Sequence, residues 1–171
     1  MPDFPRRTTH ERIVPGPGQE SVWDYPRPPR VEWAGEHVVI RLGGGVIADT
    51  TAALRVLETS HPPVYYLPRS SFVEGALSPA LGTSLCEFKG QAEYVDLQGG
   101  GAAAPRAGWF YRKPWSGYES LEDHVAVYPG EMDSCTVDDE LVRAQEGDFY
   151  GGWVTDRIVG PFKGAPGTMG W

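Results

Sequence analysis

A short segment, Cys86-Glu87-Phe88-Lys89, contains residue types from which nucleophilic or anion-binding chemistry is built. A cysteine attacks as the thiolate, and a cation beside it, here Lys89, lowers the thiol pKa and favours that form. The Lys89 ammonium is also suited to bind a ligand carboxylate or phosphate. The structural alternatives are a buried core thiol at Cys86 and a solvated turn lysine at Lys89.

A second group of polar residues precedes a Pro-Pro corner. Glu58 would act as an acid or base if it were desolvated. The sequence shows no acid that pairs with His61, so we expect a structural role for this histidine at the corner. Asp49 is expected to close a turn by accepting hydrogen bonds from backbone amides.

Four aromatic residues are candidates for the wall of a pocket. Tyr65 and Tyr66 are adjacent, so in a strand one of them faces the core and the other faces the opposite side. Trp109 and Tyr111 share one face of their strand, because alternate residues do. Two outcomes stay open for this group, packing in the core or an aromatic-walled cavity with Lys89, Glu58 or a tyrosine hydroxyl at its polar end.

Other kinds of site find no support in the sequence. The two cysteines, Cys86 and Cys135, have no histidine or cysteine partner at a zinc-finger spacing, so we expect neither a metal nor a cofactor. Gly43-Gly44-Gly45 lacks the lysine and the helix of a phosphate loop. No serine, histidine and aspartate arrangement can be inferred from sequence order, so no catalytic residue is assigned.

The elements that must position these residues are short strands. The chain has 22 glycines and 16 prolines with abundant aromatics, a composition that disfavours helices and is typical of an all-β protein. Alternation predicts a hairpin of 38–42 and 46–48, and strands at 53–58, 64–67, 84–88, 91–96, 107–111 and 124–128. A hairpin follows around Asp138-Asp139, and 99–104 is expected to form a flexible loop tip.

Both ends of the chain differ from this strand-rich middle. We expect a Pro-rich N-terminal arm at 1–30 whose Trp23 and Tyr25 dock onto the body, and a β domain at 31–130. Residues 131–171 are expected to form a hairpin and then a Gly-rich arm with many aromatic residues. Such an arm must pack on the domain or on a second subunit, since a free aromatic patch of that size would aggregate.

Bulk properties exclude several classes of function. The net charge of −8 disfavours binding to nucleic acid or to an anionic membrane surface. No apolar run is long enough to span a membrane, and the first fifteen residues lack the apolar core of a signal peptide. We therefore expect a cytoplasmic protein that keeps its two cysteines reduced.

Several motifs, in a fixed order, resemble the DUF427 family over roughly residues 31–130. They are Ile47-Ala48-Asp49-Thr50, Leu54-x-x-Leu57-Glu58, Pro62-Pro63-Val64-Tyr65-Tyr66-x-Pro68, Cys86-Glu87-Phe88-Lys89-Gly90-x-Ala92-x-Tyr94, Trp109-x-Tyr111-x-x-Pro114 and Val125-Ala126-Val127-Tyr128-Pro129. The resemblance implies a compact β-tent fold, similar to the ligand-binding domain of cereblon but without its zinc. By analogy with that aromatic-walled pocket, it favours a cavity here as well.

The sequence departs from the family pattern at one position, and it does not support an activity that a label of the family has suggested. Relatives often have an arginine where this chain has Ala52, so a ligand contact by that arginine does not transfer. The family has sometimes been labelled a nucleotidyltransferase. Such chemistry needs carboxylates that hold Mg²⁺ and groups that bind phosphate, and the sequence shows neither.

The leading hypothesis from the sequence is therefore a mainly β protein that binds a small polar or amphipathic ligand in an aromatic-lined cleft. The expected contacts are Glu58, Tyr65, Tyr66, Cys86, Lys89, Trp109 and Tyr111. One alternative is a cofactor-independent enzyme that uses Glu58 or Lys89 for proton transfer in the same cleft. The other is an interaction module, a homodimer formed through the aromatic C-terminal arm.

Overall fold

A computed structural model of the chain describes residues 11–86, 88–147 and 149–171. Within these ranges the protein forms fifteen strands and four single-turn 3₁₀ helices. The first ten residues of the expected N-terminal arm, together with Glu87 and Asp148, lie outside the described residues. No described helix is long and apolar enough to cross a membrane.

The strands are short except for one pair of long hairpins in the middle of the chain. They are β1 (Glu20–Ser21), β2 (Arg30–Trp33), β3 (Val38–Leu42), β4 (Gly45–Thr50), β5 (Leu54–Leu57), β6 (Val64–Pro68), β7 (Leu77–Cys86), β8 (Gly90–Gly99), β9 (Ala102–Tyr111), β10 (His124–Val127), β11 (Ser134–Val137), β12 (Glu140–Leu141), β13 (Arg143–Ala144), β14 (Trp153–Val154) and β15 (Ile158–Val159). The 3₁₀ helices are Val22–Asp24, Arg69–Ser71, Glu119–Leu121 and Pro129–Glu131.

Two antiparallel sheets form the body of the protein. The larger has seven strands in the order β2-β5-β6-β10-β9-β8-β7, and the smaller has four in the order β12-β11-β3-β4. Apolar residues of both sheets, such as Ile40 and Leu97, belong to one buried cluster, so the smaller sheet packs on one face of the larger. The expected mainly β fold of short antiparallel strands is confirmed.

The opposite face of the seven-stranded sheet is apolar as well. A second buried cluster there contains Tyr66 from β6, Ala92 from β8, and Trp109 and Tyr111 from β9. Strand alternation explains the two clusters, because successive side chains of each strand point to opposite faces. A sheet with two apolar faces needs a second cover, which here is provided by the arms and turns around it.

The two arms pack on the body and pair with each other. Strand β1 of the N-terminal arm lies parallel to β15 of the C-terminal arm, with Glu20 opposite Ile158. Tyr25 is buried with Leu57 and Ile158 in a small apolar cluster, so the expected docking of the N-terminal arm is confirmed for this residue. Trp153 of the C-terminal arm is fully buried in the main core.

Most of the expected hairpins are present, with two differences in the long strands. The strand expected at 84–88 is the end of β7, which begins at Leu77 and contains an irregularity between Pro79 and Thr83. The expected loop tip at 99–104 was wrong in part, because Ala102 already pairs with Gly99 as the first residue of β9. Small side chains are compatible with a pleated strand, so the alanines did not mark a loop.

The expected turn role of Asp49 was also wrong. Asp49 lies within β4 opposite Val39, and its carboxylate is 2.7 Å from the Nε2 atom of His37. The carboxylate therefore faces a side chain across the strand pair rather than backbone amides of a turn.

Candidate functional site

A cleft of about 340 Å³ opens over the second apolar face of the seven-stranded sheet. Strands β6, β8 and β9 form its floor, the β7–β8 turn forms one edge, and residues of the C-terminal arm lie along the other. This volume is within the range of about 300–1,000 Å³ that small-molecule sites occupy. Six of the seven expected contact residues line it: Glu58, Tyr66, Cys86, Lys89, Trp109 and Tyr111.

The aromatic walls are joined by ring contacts and by one hydrogen bond. The indole Nε1 of Trp109 donates to the Tyr66 hydroxyl at 3.2 Å, and the two rings meet edge to face. Tyr128 packs on the other side of Trp109 at 4.7 Å between ring centroids. Burial raises the pKa values of Tyr66 and Tyr111, so both hydroxyls stay protonated at neutral pH. The aromatic walls are therefore uncharged.

Tyr65 lies on the opposite face of strand β6 and does not line the cleft. Its ring stacks on Trp153 in the main core, and its hydroxyl donates to the buried carboxylate of Glu36 at 2.9 Å. Alternation placed the two tyrosines on opposite faces, and the structure assigns Tyr66 to the cleft and Tyr65 to the core. Tyr65 is therefore left out of the proposed ligand contacts below.

Cys86 and Lys89 flank the β7–β8 turn and form one polar end of the cleft. Cys86 pairs with Gly90 at the end of the hairpin, and the turn is fixed from outside by Trp115, whose amide donates to the Lys89 carbonyl at 3.0 Å. The Lys89 ammonium lies 6.0 Å from the centre of the Tyr111 ring. Both side chains are half-buried, so Cys86 is not the enclosed core thiol that was one of its two expected roles.

The charges of this pair stabilise each other. Burial raises the pKa of the Cys86 thiol, but the Lys89 ammonium and hydrogen bonds from the backbone of Phe88 and Lys89 outweigh it and lower the pKa below its ordinary value. Burial lowers the pKa of Lys89, but interactions with the polar groups around the ammonium, Cys86 among them, outweigh it and raise the pKa. The ammonium therefore keeps its charge inside an otherwise apolar cleft.

Glu58 and His61 form a second polar group in the lining. The Nε2 atom of His61 is 3.2 Å from the Glu58 carboxylate, and a guanidinium nitrogen of Arg27 is 3.4 Å from the same oxygen. The expectation that His61 has no acid partner was therefore wrong, and the spacing of three residues between Glu58 and His61 could have indicated the pair. Burial raises the pKa of Glu58, but the hydrogen bond from His61 and the nearby Lys89 and Arg27 charges lower it overall.

The lowered pKa of Glu58 predicts a pH-dependent effect of Glu58→Gln on stability. Because the folded-state pKa lies below the ordinary value of 4.5, ionised Glu58 stabilises the fold above that pH, and the contribution is lost as the pH falls further. At pH 6 the variant should lose about 1.5 kcal/mol of unfolding free energy, the lower end of the range for a hydrogen bond to a charged group. Urea unfolding at pH 6 and pH 3 measures this difference.

A matched control for this prediction is Glu74→Gln, since Glu74 is an exposed carboxylate away from the cleft. It should leave the unfolding free energy unchanged at both pH values. A Glu58→Gln deficit that is as large at pH 3 as at pH 6 would show that the carboxylate charge contributes nothing.

The C-terminal arm supplies contacts that the sequence analysis missed. The cleft lining includes Gln145, Phe149, Tyr150 and Lys163. The Tyr150 ring meets the His61 ring edge-on at 5.1 Å, and the Lys163 ammonium lies 5.6 Å from the centre of the Tyr150 ring. The side chain of Gln145 connects two parts of the arm. Its Nε2 donates to the Lys163 carbonyl, and its Oε1 accepts from the backbone amide of Gly152. The arm therefore forms a wall of the cleft.

A second depression of about 440 Å³ lies on the other side of the β7–β8 hairpin. Its lining contains several charged side chains, and among them Arg112 forms two hydrogen bonds with the carboxylate of Glu93. Because Arg112 and Glu93 already pair with each other and the lining has fewer aromatic walls, the depression is a weaker candidate than the apolar cleft with its few convergent polar groups.

Fold and site together define a mainly β protein with two packed antiparallel sheets and an aromatic-walled cleft on the outer face of the larger one. The sequence profile of the family described as "Domain of unknown function (DUF427)" matches residues 30–138. The chain belongs to this family. A comparison with curated proteins finds no match. The cleft is built partly from the matched segment and partly from residues 145–163 beyond it.

Proposed function

We propose that the protein binds a small amphipathic ligand in the aromatic-lined cleft. The observation that carries this proposal is the convergence of chain segments from 56 to 163 on one apolar cavity that contains a charged lysine. Tyr66, Trp109 and Tyr111 supply flat apolar walls, which suit an aromatic or hydrocarbon group. Lys89 supplies the polar contact that fixes its orientation.

The charges in the cleft favour a ligand with an anionic end. Glu58, the carboxylate among the described lining residues, is already within 3.2–3.4 Å of His61 and Arg27. Lys89 keeps its charge beside Cys86, and Lys163 lies across the cleft on the C-terminal arm. A carboxylate placed near Lys89 would complete a charge-assisted hydrogen bond, which is about twice as strong as a neutral one.

This proposal predicts that carboxylates stabilise the protein through Lys89. Millimolar 3-phenylpropanoate should raise the Tm of the wild-type protein more than its neutral amide does, because only the acid pairs with the ammonium. Lys89→Met should remove the difference between acid and amide. A ligand at about a hundred times its Kd adds roughly 2.7 kcal/mol of stability, so the shift in Tm is measurable by thermal unfolding.

Lys113→Met is the matched control, because Lys113 is an exposed lysine beside the same turn but outside the cleft. It should bind the acid as the wild type does. If 3-phenylpropanoate and a panel of other aromatic and aliphatic carboxylates leave the Tm of the folded wild type unchanged, a pocket function for an anionic ligand is excluded.

The two rival functions make different predictions. A cofactor-independent enzyme using Glu58 or Lys89 for proton transfer would lose turnover of its substrate in Glu58→Gln or Lys89→Met, whereas a binder loses only affinity.

A homodimer through the C-terminal arm is favoured less, because Trp153 and Ile158 are buried within their own chain. The molar mass of the full-length protein in solution, measured by light scattering, would test that alternative, because a homodimer has twice the mass of one chain.

A further inference from the structure

The β7–β8 turn brings a thiol and an ammonium together inside the cleft. Cys86 is the last residue of β7, Lys89 lies in the turn, and both line the cavity. The turn is held in this conformation by Gly90, whose φ of +117° disfavours other residues, and by Trp115, which lies 3.2 Å from the position of a Gly90 Cβ. Both groups therefore line the cleft at the same end of the β7–β8 hairpin.

The second cysteine provides an internal comparison. Cys135 is buried in the main core, and burial alone raises its pKa to about 12, so it stays a thiol. Cys86 is half-buried, next to Lys89 and the amides of the turn, and these groups lower its pKa. The chain thus contains one thiol placed for reaction and one placed for packing.

We propose that Cys86 is a nucleophile that captures an aldehyde ligand in the cleft as a reversible thiohemiacetal, with Lys89 as the proton donor. This inference rests on the proposed ligand-binding function of the same cleft. The ligand class is a small aldehyde whose apolar body, aromatic or aliphatic, packs on the walls formed by Tyr66, Trp109 and Tyr111.

The step balances with groups that the cleft contains. The Cys86 thiolate gives its electron pair to the carbonyl carbon, a carbon–sulfur bond forms, and the carbon–oxygen π bond breaks. The oxygen takes a proton from the Lys89 ammonium, and the neutral amine regains a proton from water. The reverse sequence releases the aldehyde unchanged, so the overall reaction is addition without oxidant, reductant or leaving group.

The arrangement favours an aldehyde over an acyl compound. The Lys89 ammonium lies beside the Cys86 sulfur. When the sulfur attacks the aldehyde carbon, negative charge develops on the carbonyl oxygen, which is one bond away and therefore close to the ammonium. An ester or thioester would also need a protonated leaving group and an activated water to release the acyl group. His61, the histidine of the cleft lining, is paired with Glu58 at 3.2 Å. Capture of an aldehyde requires only Cys86 and Lys89.

Alkylation by iodoacetamide tests the nucleophile. Peptide mass spectrometry on the folded wild type at pH 7 should show rapid modification of Cys86 and none of Cys135. Lys89→Met should slow modification of Cys86 several-fold, because loss of the ammonium raises the thiol pKa and reduces the thiolate fraction, whereas Lys113→Met should not. The wild-type pH profile needs no variant, and a midpoint at or above that of free cysteine overturns the proposal even if Lys89→Met does not fold.

Carbon NMR with 3-phenylpropanal labelled with ¹³C at the carbonyl tests the adduct. We expect a protein-bound resonance in the saturated-carbon region that is absent in Cys86→Ser, is distinct from the free aldehyde hydrate, and disappears on dialysis. The alcohol 3-phenylpropan-1-ol, which cannot add a thiol, serves as the control for binding without a bond.

The outcomes separate this inference from the function on which it rests. If aldehyde and alcohol both raise the Tm but no saturated-carbon resonance forms, covalent capture is overturned and ligand binding in the cleft stands. If neither compound nor the carboxylate panel raises the Tm and no adduct forms, both proposals fail. An adduct that persists in Cys86→Ser overturns the assignment of the nucleophile.

Discussion

Replacing Trp153 with alanine is expected to lower the free energy of unfolding by about 3–5 kcal/mol, the usual cost of removing a large buried aromatic side chain. Trp153 is fully buried, its ring is 4.9 Å from that of Tyr65, and its indole Nε1 donates to the Val127 carbonyl at 3.3 Å. The truncation leaves a cavity between the sheets and an unpaired buried carbonyl. Urea unfolding followed by circular dichroism measures the loss.

The same substitution should weaken the cleft, since Tyr150 and Gly151, which line it, precede Trp153 closely in the chain. Trp33→Ala is the matched control, because 63% of the Trp33 surface is exposed. It should cost less than about 0.5 kcal/mol, as substitutions at the surface usually do. A loss below 1 kcal/mol for Trp153→Ala would show that the C-terminal arm is not packed into the core.

Gly43→Ala is expected to destabilise the protein by about 1–3 kcal/mol more than Gly44→Ala, the usual cost of overpacking. The β3–β4 turn and the β8–β9 turn pack against each other through glycines. A Cβ at Gly43 would lie 1.8 Å from the Gly99 carbonyl oxygen, so one turn must move away from the other. Thermal or urea unfolding of the two variants measures the difference.

Gly44 is a close control for this prediction. Both residues have a positive φ, +64° and +84°, so each alanine variant carries a similar backbone strain of about 1 kcal/mol. Nothing lies within 4 Å of a Cβ at Gly44. Equal losses in the two variants would mean that the turns are not in contact.

The glycine contact shows what the sequence can and cannot predict about the fold. The runs 43–45 and 99–101 each predict a turn, and both turns are observed. Their contact joins two hairpins more than fifty residues apart, and no local pattern predicts which turns of a chain meet. Alternation similarly predicted strand β6 and opposite faces for Tyr65 and Tyr66, but it did not say which face was the core.

Some residues of the candidate site could be predicted from local sequence pattern, and others could not. Residues within strands or next to turns, such as Tyr66, Lys89 and Trp109, were identified from local pattern and from the family resemblance. Phe149 and Tyr150 were expected to pack somewhere, because they are too apolar to remain free, but not to line this cleft. Their contacts depend on how the arm crosses the sheet, which is set by Trp153 and Gln145 and leaves no periodic signal in a Gly-rich segment.

The family resemblance led us to expect an aromatic-lined cleft. The structure adds the positions of the polar groups at the end of this cleft, and these indicate the chemical class of the ligand. Lys89 is placed at the end of the cleft by the β7–β8 turn, and the Glu58 carboxylate already lies within 3.2–3.4 Å of His61 and Arg27. Together these contacts make an anionic or carbonyl-bearing ligand the best fit.

The most direct test of the cleft as the ligand site is a crystal structure of the wild-type protein soaked with 3-phenylpropanoate. We predict density for the phenyl ring against Trp109 and Tyr111, with the carboxylate within hydrogen-bond distance of the Lys89 ammonium. Density in the charged depression beside Arg69 and Arg112 instead, or an empty cleft in crystals where the cleft is open to solvent, would contradict the account.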